Sequence, residues 1–377
     1  MKKLLVVVLV LCIAFALASC GEEGGMGTDA PEFEVGVVDF NADELPRFRI
    51  AFGYADWESA LGMQHMASFN YLAEAFNFEP VFYNPGTGEA TIAAVESVLA
   101  GGDIDGMISI SWNVASMVIA DRHGVPVVTA NQFPAAAEIE AIAAFDMFLG
   151  GVVDDEVWAG YNSMRALYNA GARNVTWSGL TAGLGQGHDD RARGALQFIA
   201  ENPVMNLLTE SYSMGLWAQD VVTFAAVFPE VEGMGFTAVL DSVYHAMEME
   251  GIADGSVVIA GPDVSARTGE MFERGVQVWS AGGQHGTLQI AFAILYNYLI
   301  DGTRVIPNAT VPLERNYLEI TSHADYLRFA EIVSYPPYSA QEIANLINYF
   351  NPNMTFEDFV RGGREFSLDS VFARRGN

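Results

Sequence analysis

From residue 47 onward the chain alternates short β-type runs with amphipathic helical stretches, and this alternation constrains its fold more than any other feature. Runs at 48–53, 80–83, 107–110 and 126–129 are separated by helical segments at 62–76, 89–100 and 113–123. A second series has runs at 147–153, 174–178, 206–210, 236–240, 257–260 and 276–280. Strands that alternate with helices return to their sheet by crossovers, which gives parallel sheets covered by helices. Two successive α/β units are expected, and 377 residues with 51% hydrophobic content supply material for two cores. The first unit is assigned to 47–150, completed by about 285–320, and the second to 151–284. Residues 321–377 form a C-terminal extension to which the sequence assigns no role.

The first residues have a different character. Lys2 and Lys3 precede an uncharged segment, 4–18, that closes on Leu17-Ala18-Ser19-Cys20. A charged start, an apolar stretch and small residues before a cleavage point make a secretory signal. The apolar stretch falls short of the ~20 residues a membrane-spanning helix needs, and Gly21-Glu22-Glu23 follows it. The last four residues resemble a bacterial lipobox. That resemblance implies removal of 1–19, lipid modification of Cys20 and tethering outside the cytoplasm, in the periplasm or on the outer face of the cytoplasmic membrane. Two or more acyl chains would hold the protein firmly, where one would not. The competing reading is an ordinary secreted protein with a free thiol at Cys20. Cys12, the other of the two cysteines, lies within the signal, so the mature chain would have no internal disulfide. Residues 20–46, rich in Gly, Asp and Glu, are expected to be a flexible tether.

Charge excludes some partners. The formal net charge is −29, and both lysines lie in the signal, leaving arginine as the fixed cation of the mature chain. Without a basic patch there is nothing to displace counterions from nucleic-acid phosphates. The same acidity fits either a well-solvated surface or adaptation to high salt. No cofactor, metal or catalytic signature stands out. His188-Asp189-Asp190 lacks a third, distant ligand, and the glycine-rich runs at 183–187 and 101–102 have the wrong length for a phosphate fingerprint. The chain is read as a non-enzyme that works as a monomer.

Several segments together resemble the type 1 periplasmic binding proteins, the family of ribose- and galactose-type sugar receptors of ABC importers. They are Asp105-Gly106-Met107-Ile108-Ser109-Ile110-Ser111 with Gly124-Val125-Pro126-Val127-Val128, then Ala170-Gly171-Ala172-Arg173-Asn174-Val175 and Arg191-Ala192-Arg193-Gly194 opening a helix. Ala238-Val239-Leu240-Asp241-Ser242, Val258-Ile259-Ala260-Gly261-Pro262-Asp263 and Gly275-Val276-Gln277-Val278 follow in order, with Gln284 beyond them. The resemblance runs from about residue 47 to about 320. It implies two Rossmann-like lobes joined by a multi-crossover hinge, a monosaccharide captured by lobe closure, and delivery to an ABC permease. The alternatives are a lipoprotein that reports to a chemoreceptor or sensor kinase, a receptor for a nucleoside or autoinducer-like furanose, and an extracellular hydrolase on a related scaffold.

In open parallel sheets ligands bind beyond the carboxyl ends of the strands, and a polyhydroxylated ligand needs bidentate polar groups and aromatic faces. Arg191 matches the family's sugar-binding arginine; its competing role is an ion pair with Asp189 or Asp190. Asp263 stands where the family carries an acceptor for sugar hydroxyls, against N-capping of the next helix. Gln284 resembles an interlobe glutamine, against a hinge-backbone contact, and Asn131 stands where sugar receptors often carry aspartate. Asp241 departs from the family pattern, since Leu240 precedes it where many receptors have asparagine, and it is as well suited to capping. Asp56, Tyr54 and Trp57 after the first strand, Trp112 after the third, Phe133 after the fourth, and Tyr212 and Trp217 in the second lobe's third strand-to-helix connection complete the candidates. Packing between loops competes with ligand contact for each aromatic ring, and Trp158, Trp177 and Trp279 read as core.

Overall fold

The computed structural model describes residues 35–86, 89–110, 112–183, 185–333 and 335–375. The signal sequence and Cys20 lie outside the described residues. Strands β1 (Arg49–Gly53), β2 (Glu79–Tyr83), β3 (Gly106–Ser109), β4 (Val127–Ala130) and β5 (Phe148–Asp154) alternate with helices α1 (Ala60–Phe76), α2 (Glu89–Leu99), α3 (Val114–Arg122) and α4 (Ala136–Ile142). The second series has β6 (Asn174–Leu180), β7 (Asn206–Ser213), β8 (Gly233–Phe236), β9 (Val258–Ala260) and β10 (Gln277–Gly282). Its helices are α5 (Glu156–Asn169), α6 (Gln186–Glu201), α7 (Trp217–Val227), α8 (Asp241–Met249) and α9 (Thr268–Glu273). Helix α10 (His285–Asp301), strands β11 (Leu313–Arg315) and β12 (Leu318–Ile320), and helices α11 (His323–Ile332), α12 (Ala340–Ala344), α13 (Phe356–Arg364) and α14 (Leu368–Arg374) complete the chain.

The strands make two six-stranded sheets with matching order, β2-β1-β3-β4-β5-β11 and β7-β6-β8-β9-β10-β12. The first is parallel throughout. In the second, β12 runs antiparallel to β10. Both faces of each sheet are covered, which is why strands such as β3 and β4 are buried at every position. The order reverses between β2 and β3 in the first sheet and between β7 and β8 in the second, so each lobe has a switch point beside its first strand. Helix starts are set by side chains. Ser59 accepts from Gly62 N ahead of α1, Asn113 and Ser116 form a capping box at α3, and Asp155 accepts from Trp158 N at α5.

The chain passes between the lobes at 154–156, 282–285 and 315–318. Helix α10 packs on the first sheet beside α1, and β11 joins that sheet, whereas β12 joins the second. The expected division therefore shifts: β5 belongs to the first sheet through Asp154, and 318–320 to the second lobe. The run expected at 236–240 is also displaced, since the strand is Gly233–Phe236 and Thr237–Leu240 is connection. Two glycines disguised it. A Cβ on Gly235 would lie 2.2 Å from the Met164 side chain and 2.9 Å from the Trp177 ring, so glycine there serves packing instead of a turn.

The tether expected at 20–46 is corrected over its described part. Val35, Val38 and Phe40 pack on the first lobe's core and Leu45 is buried. Phe40 stacks between Phe76 and Phe350, with ring centroids at 5.3 and 4.5 Å. The acidic composition hid four apolar residues spaced to reach a groove.

Helices α5 and α6 cross closely over the second sheet. A Cβ on Gly194 would lie 1.9 Å from the Val157 carbonyl oxygen, and one on Gly160 1.8 Å from that of Arg191. On an exposed helix, Gly→Ala gains about 1 kcal/mol. Here the sign reverses: Gly194→Ala should cost about 1–3 kcal/mol through overpacking, measured as a lower urea midpoint, and a raised midpoint would contradict this crossing.

Candidate ligand cleft

The carboxyl ends of the two sheets face each other across the hinge, and the polar residues there form one connected network. Asn131 follows β4 with φ 60°, and Asp263 follows β9 with φ 72°. These are left-handed backbone positions that asparagine and aspartate tolerate better than most residues, and such conformations concentrate at functional sites. Gln284, at the second crossover, links them. Its Nε2 donates to Asp263 Oδ1 at 2.6 Å, and its carbonyl accepts from Asn131 Nδ2 at 3.4 Å and from the Thr287 hydroxyl at 2.7 Å. The single Thr287 hydroxyl hydrogen is shared between that carbonyl and Asn131 Oδ1. One side chain from each lobe is thus tied through the hinge. Asp263 does not cap a helix, because α9 starts behind Arg267.

Arg191 lies in the first half of α6, buried beside this network. Its Nε and Nη2 meet the two Glu156 carboxylate oxygens at 2.5 and 3.1 Å, Nη2 also donates to the Tyr317 hydroxyl at 2.8 Å, and Nη1 donates to the Thr237 carbonyl at 2.7 Å. Tyr317 in turn donates to Glu156 at 2.8 Å. The ion-pair partner is Glu156, not Asp189 or Asp190. Those two accept instead from Gly183 N and from Gln186 and Arg193. Burial pushes the Glu156 and Asp263 carboxyls up, against the pull of Arg191 on both. Burial also raises the Tyr54 phenol, and the Asp263 charge adds to that shift, which brings the first lobe's β1–α1 connection into the same electrostatic field.

The other candidates divide. Trp57 packs edge-on against Phe52, Tyr54 and Phe82 and donates to the Tyr83 carbonyl at 3.3 Å. Asp56 is exposed and accepts from Ser59 N. Asp241 opens α8 and accepts from Arg267 N at 3.3 Å. Tyr212 lies within the edge strand β7, which runs through Ser213, and donates to Glu210 at 2.9 Å, so it precedes the connection expected to hold it. Trp112 and Trp217 each carry a buried indole Nε1 with no acceptor among the described residues. Glu156, Tyr317, Thr287 and Thr237 were not foreseen. The acidic run Asp154-Asp155-Glu156 closing an apolar strand marks Glu156 as unusual, but not as the partner of Arg191, and the other three carry no signal.

No family model and no curated relative matches the chain. Solved structures do match. A galactofuranose binding protein superposes with a TM-score of 0.65 at 15% identity, over 76% of this chain and 100% of its own. An ABC transporter periplasmic solute binding protein from Actinobacillus succinogenes with bound D-allose gives 0.66 at 16%, over 74% and 99%. A periplasmic sugar-binding protein from Pseudomonas fluorescens gives 0.66 at 13%, over 86% and 99%. The fold is that of the two-lobed periplasmic binding proteins. No helix among the described residues is long and apolar enough to cross a membrane.

Beneath Tyr54, His65 is fully buried in α1 with neither ring nitrogen bonded, and burial lowers it to about 3. A group held below its unfolded value of about 6.5 supports folding above that pH and loses its contribution as pH falls toward 3. His65→Leu should therefore flatten the pH dependence of unfolding free energy between pH 6 and 4 by about 1.4 kcal/mol per unit, one proton's worth. Parallel curves for parent and variant in urea titrations would contradict this.

Proposed function

We propose that this protein is an extracytoplasmic receptor that captures a small neutral polyhydroxylated ligand, a monosaccharide, between its lobes. The observation that carries the reading is the Asn131–Gln284–Asp263 chain, which joins both lobes at the ends of their strands. A ligand bridging Asn131 and Asp263 would satisfy acceptors and donors from both sides at once, and only closure lets one molecule do so. Arg191 is committed to Glu156, Tyr317 and Thr237, so it is assigned to hold the cleft floor and to balance Asp263 there. With Arg191 so committed, the described residues of the cleft offer no unpaired cation for a carboxylate or phosphate, and the carboxylate of Asp263 favours hydroxyl donors. Trp112 and Trp217, one from each lobe, pack on their lobes' cores and keep an unpartnered indole N–H each, which is assigned to donate to a ligand hydroxyl. The lipobox resemblance and the acidic, lysine-free mature chain support anchoring through Cys20 and work outside the cytoplasm. The resemblance to importer receptors supports delivery of the ligand to an ABC permease, with no turnover.

A thermal-shift panel of aldopentoses, aldohexoses, uronates, sugar phosphates and nucleosides tests this. A neutral sugar at a hundredfold excess over its dissociation constant should stabilise the folded state by about 2.7 kcal/mol. Asp263→Asn, which keeps a residue suited to the left-handed backbone, should fold normally and bind that sugar about ten- to a hundredfold more weakly, by the 1.5–3 kcal/mol of a charge-assisted hydrogen bond. A response confined to uronates or phosphates would overturn the neutral-ligand reading, and silence from every sugar would overturn the receptor.

A further inference from the structure

Two recesses of about 340 and 310 Å3 lie side by side behind the hinge and share Glu319 and Thr321. Their polar groups already serve one another. Glu319 accepts from Trp279 Nε1 at 2.8 Å, Arg328 holds Asp369 at 2.6 Å, and Asp325 accepts from the Thr321 and Ser322 hydroxyls. Such groups are joints of the fold, and all but the Trp279–Glu319 bond belong to the C-terminal extension.

The extension's path crosses between the lobes. Helix α11 sits on the second lobe: His323 Nδ1 meets the Gly269 carbonyl at 2.9 Å, the Tyr326 ring occupies the space a Cβ on Gly269 would need, and Phe329 does the same at Gly282. After Pro336-Pro337 the chain sits on the first lobe. There Tyr338 exchanges two backbone bonds with the Gln289 amide, at 3.0 and 2.8 Å. Ala340 N donates to the Tyr71 hydroxyl at 2.6 Å, and Asn297 holds Leu346 O and Asn348 N at 2.8 and 2.7 Å. The tail then returns over the third crossover, where Gly363 O accepts from Asn316 N. Helix α14 closes the loop on both lobes' anchors. Asp369 pairs with Arg328 of α11, and Arg374 pairs with Glu342 of α12 at 2.5 Å. Arg374 and Arg375 also donate to the Pro337 and Pro336 carbonyls, at 3.3 and 2.8 Å.

We propose that residues 321–375 are a brace: a fourth connection between the lobes, stiffened at Pro336-Pro337 and gripped by Arg374 and Arg375, that limits how far the cleft opens. The proposal goes beyond the receptor reading and needs no ligand to be tested. A hinge of three crossovers pivots by dihedral changes at a few residues. A fourth, proline-fixed span anchored by buried side-chain-to-backbone bonds cannot lengthen without breaking them. Restricting the open ensemble raises the fraction of molecules near the closed form, and apparent affinity rises with that fraction.

Small-angle X-ray scattering of the ligand-free protein reads the opening directly. Two variants loosen the brace while leaving the cleft residues alone: Pro336→Gly with Pro337→Gly, and Arg374→Ala with Arg375→Ala. Each is first shown to be folded by cooperative unfolding. A folded variant should give a larger radius of gyration and a broader pair-distance distribution than the parent. Parent-like scattering from a folded variant overturns the brace. Failure of both pairs to fold would make the extension core instead of brace, and overturns it equally.

Discussion

Arg315 sits where the three crossovers meet, and the hinge depends on it. It ends β11 on the third crossover, and its Nη2 donates to Asp154 on the first at 2.5 Å and to the Gly283 carbonyl on the second at 2.8 Å. The guanidinium is fully buried and lies over the Phe366 ring at 4.0 Å. A Cβ on Gly286 would come within 2.7 Å of Arg315 Nη1, so the second crossover requires glycine to pass this close. Removing one partner of such a pair typically costs about 3–5 kcal/mol, because the other charge is left buried alone. Arg315 thereby ties the three crossovers together at one point.

The same logic extends from the hinge into the cleft. Tyr317, two residues beyond Arg315, holds Arg191 and Glu156 together, and Glu156 begins α5 directly after the first crossover. Cleft floor and hinge are therefore one hydrogen-bonded body. Under the proposed function, a ligand that draws Asn131 and Asp263 together would act on residues that Gln284 already links to the second crossover. This is why an arginine that looks from sequence like a ligand contact is better spent as part of the floor. A buried guanidinium with a carboxylate, a phenol and a carbonyl around it has little left to offer a solute.

Much of the architecture was legible because buried strands and amphipathic helices differ in period, and ten runs in chain order left few topologies open; β11 and β12, of three residues each, were too short to register. The failures were local. The run expected at 236–240 missed Gly233 and Gly235, which sit in the strand where neighbouring side chains need their space. Val35, Val38, Phe40 and Leu45 were masked by the acids among them. In the site, Asn131, Asp263 and Gln284 were singled out by their resemblance to the polar positions of sugar receptors, and the structure brings the three into one hydrogen-bonded chain. The partners Glu156 and Tyr317 could not be, since 35 and 126 residues separate them from Arg191. The extension gave no signal at all, because a brace is defined by what lies on either side of it.

Capture by closure, as proposed, requires lobes that pivot about the Arg315 junction and come together on a sugar. Spin labels on Glu96→Cys in α2 and Thr223→Cys in α7, with Cys12 and Cys20 replaced by serine, report the interlobe distance by double electron–electron resonance. A neutral sugar that binds should shorten that distance and narrow its distribution. A distribution unchanged at saturating sugar would contradict capture by closure.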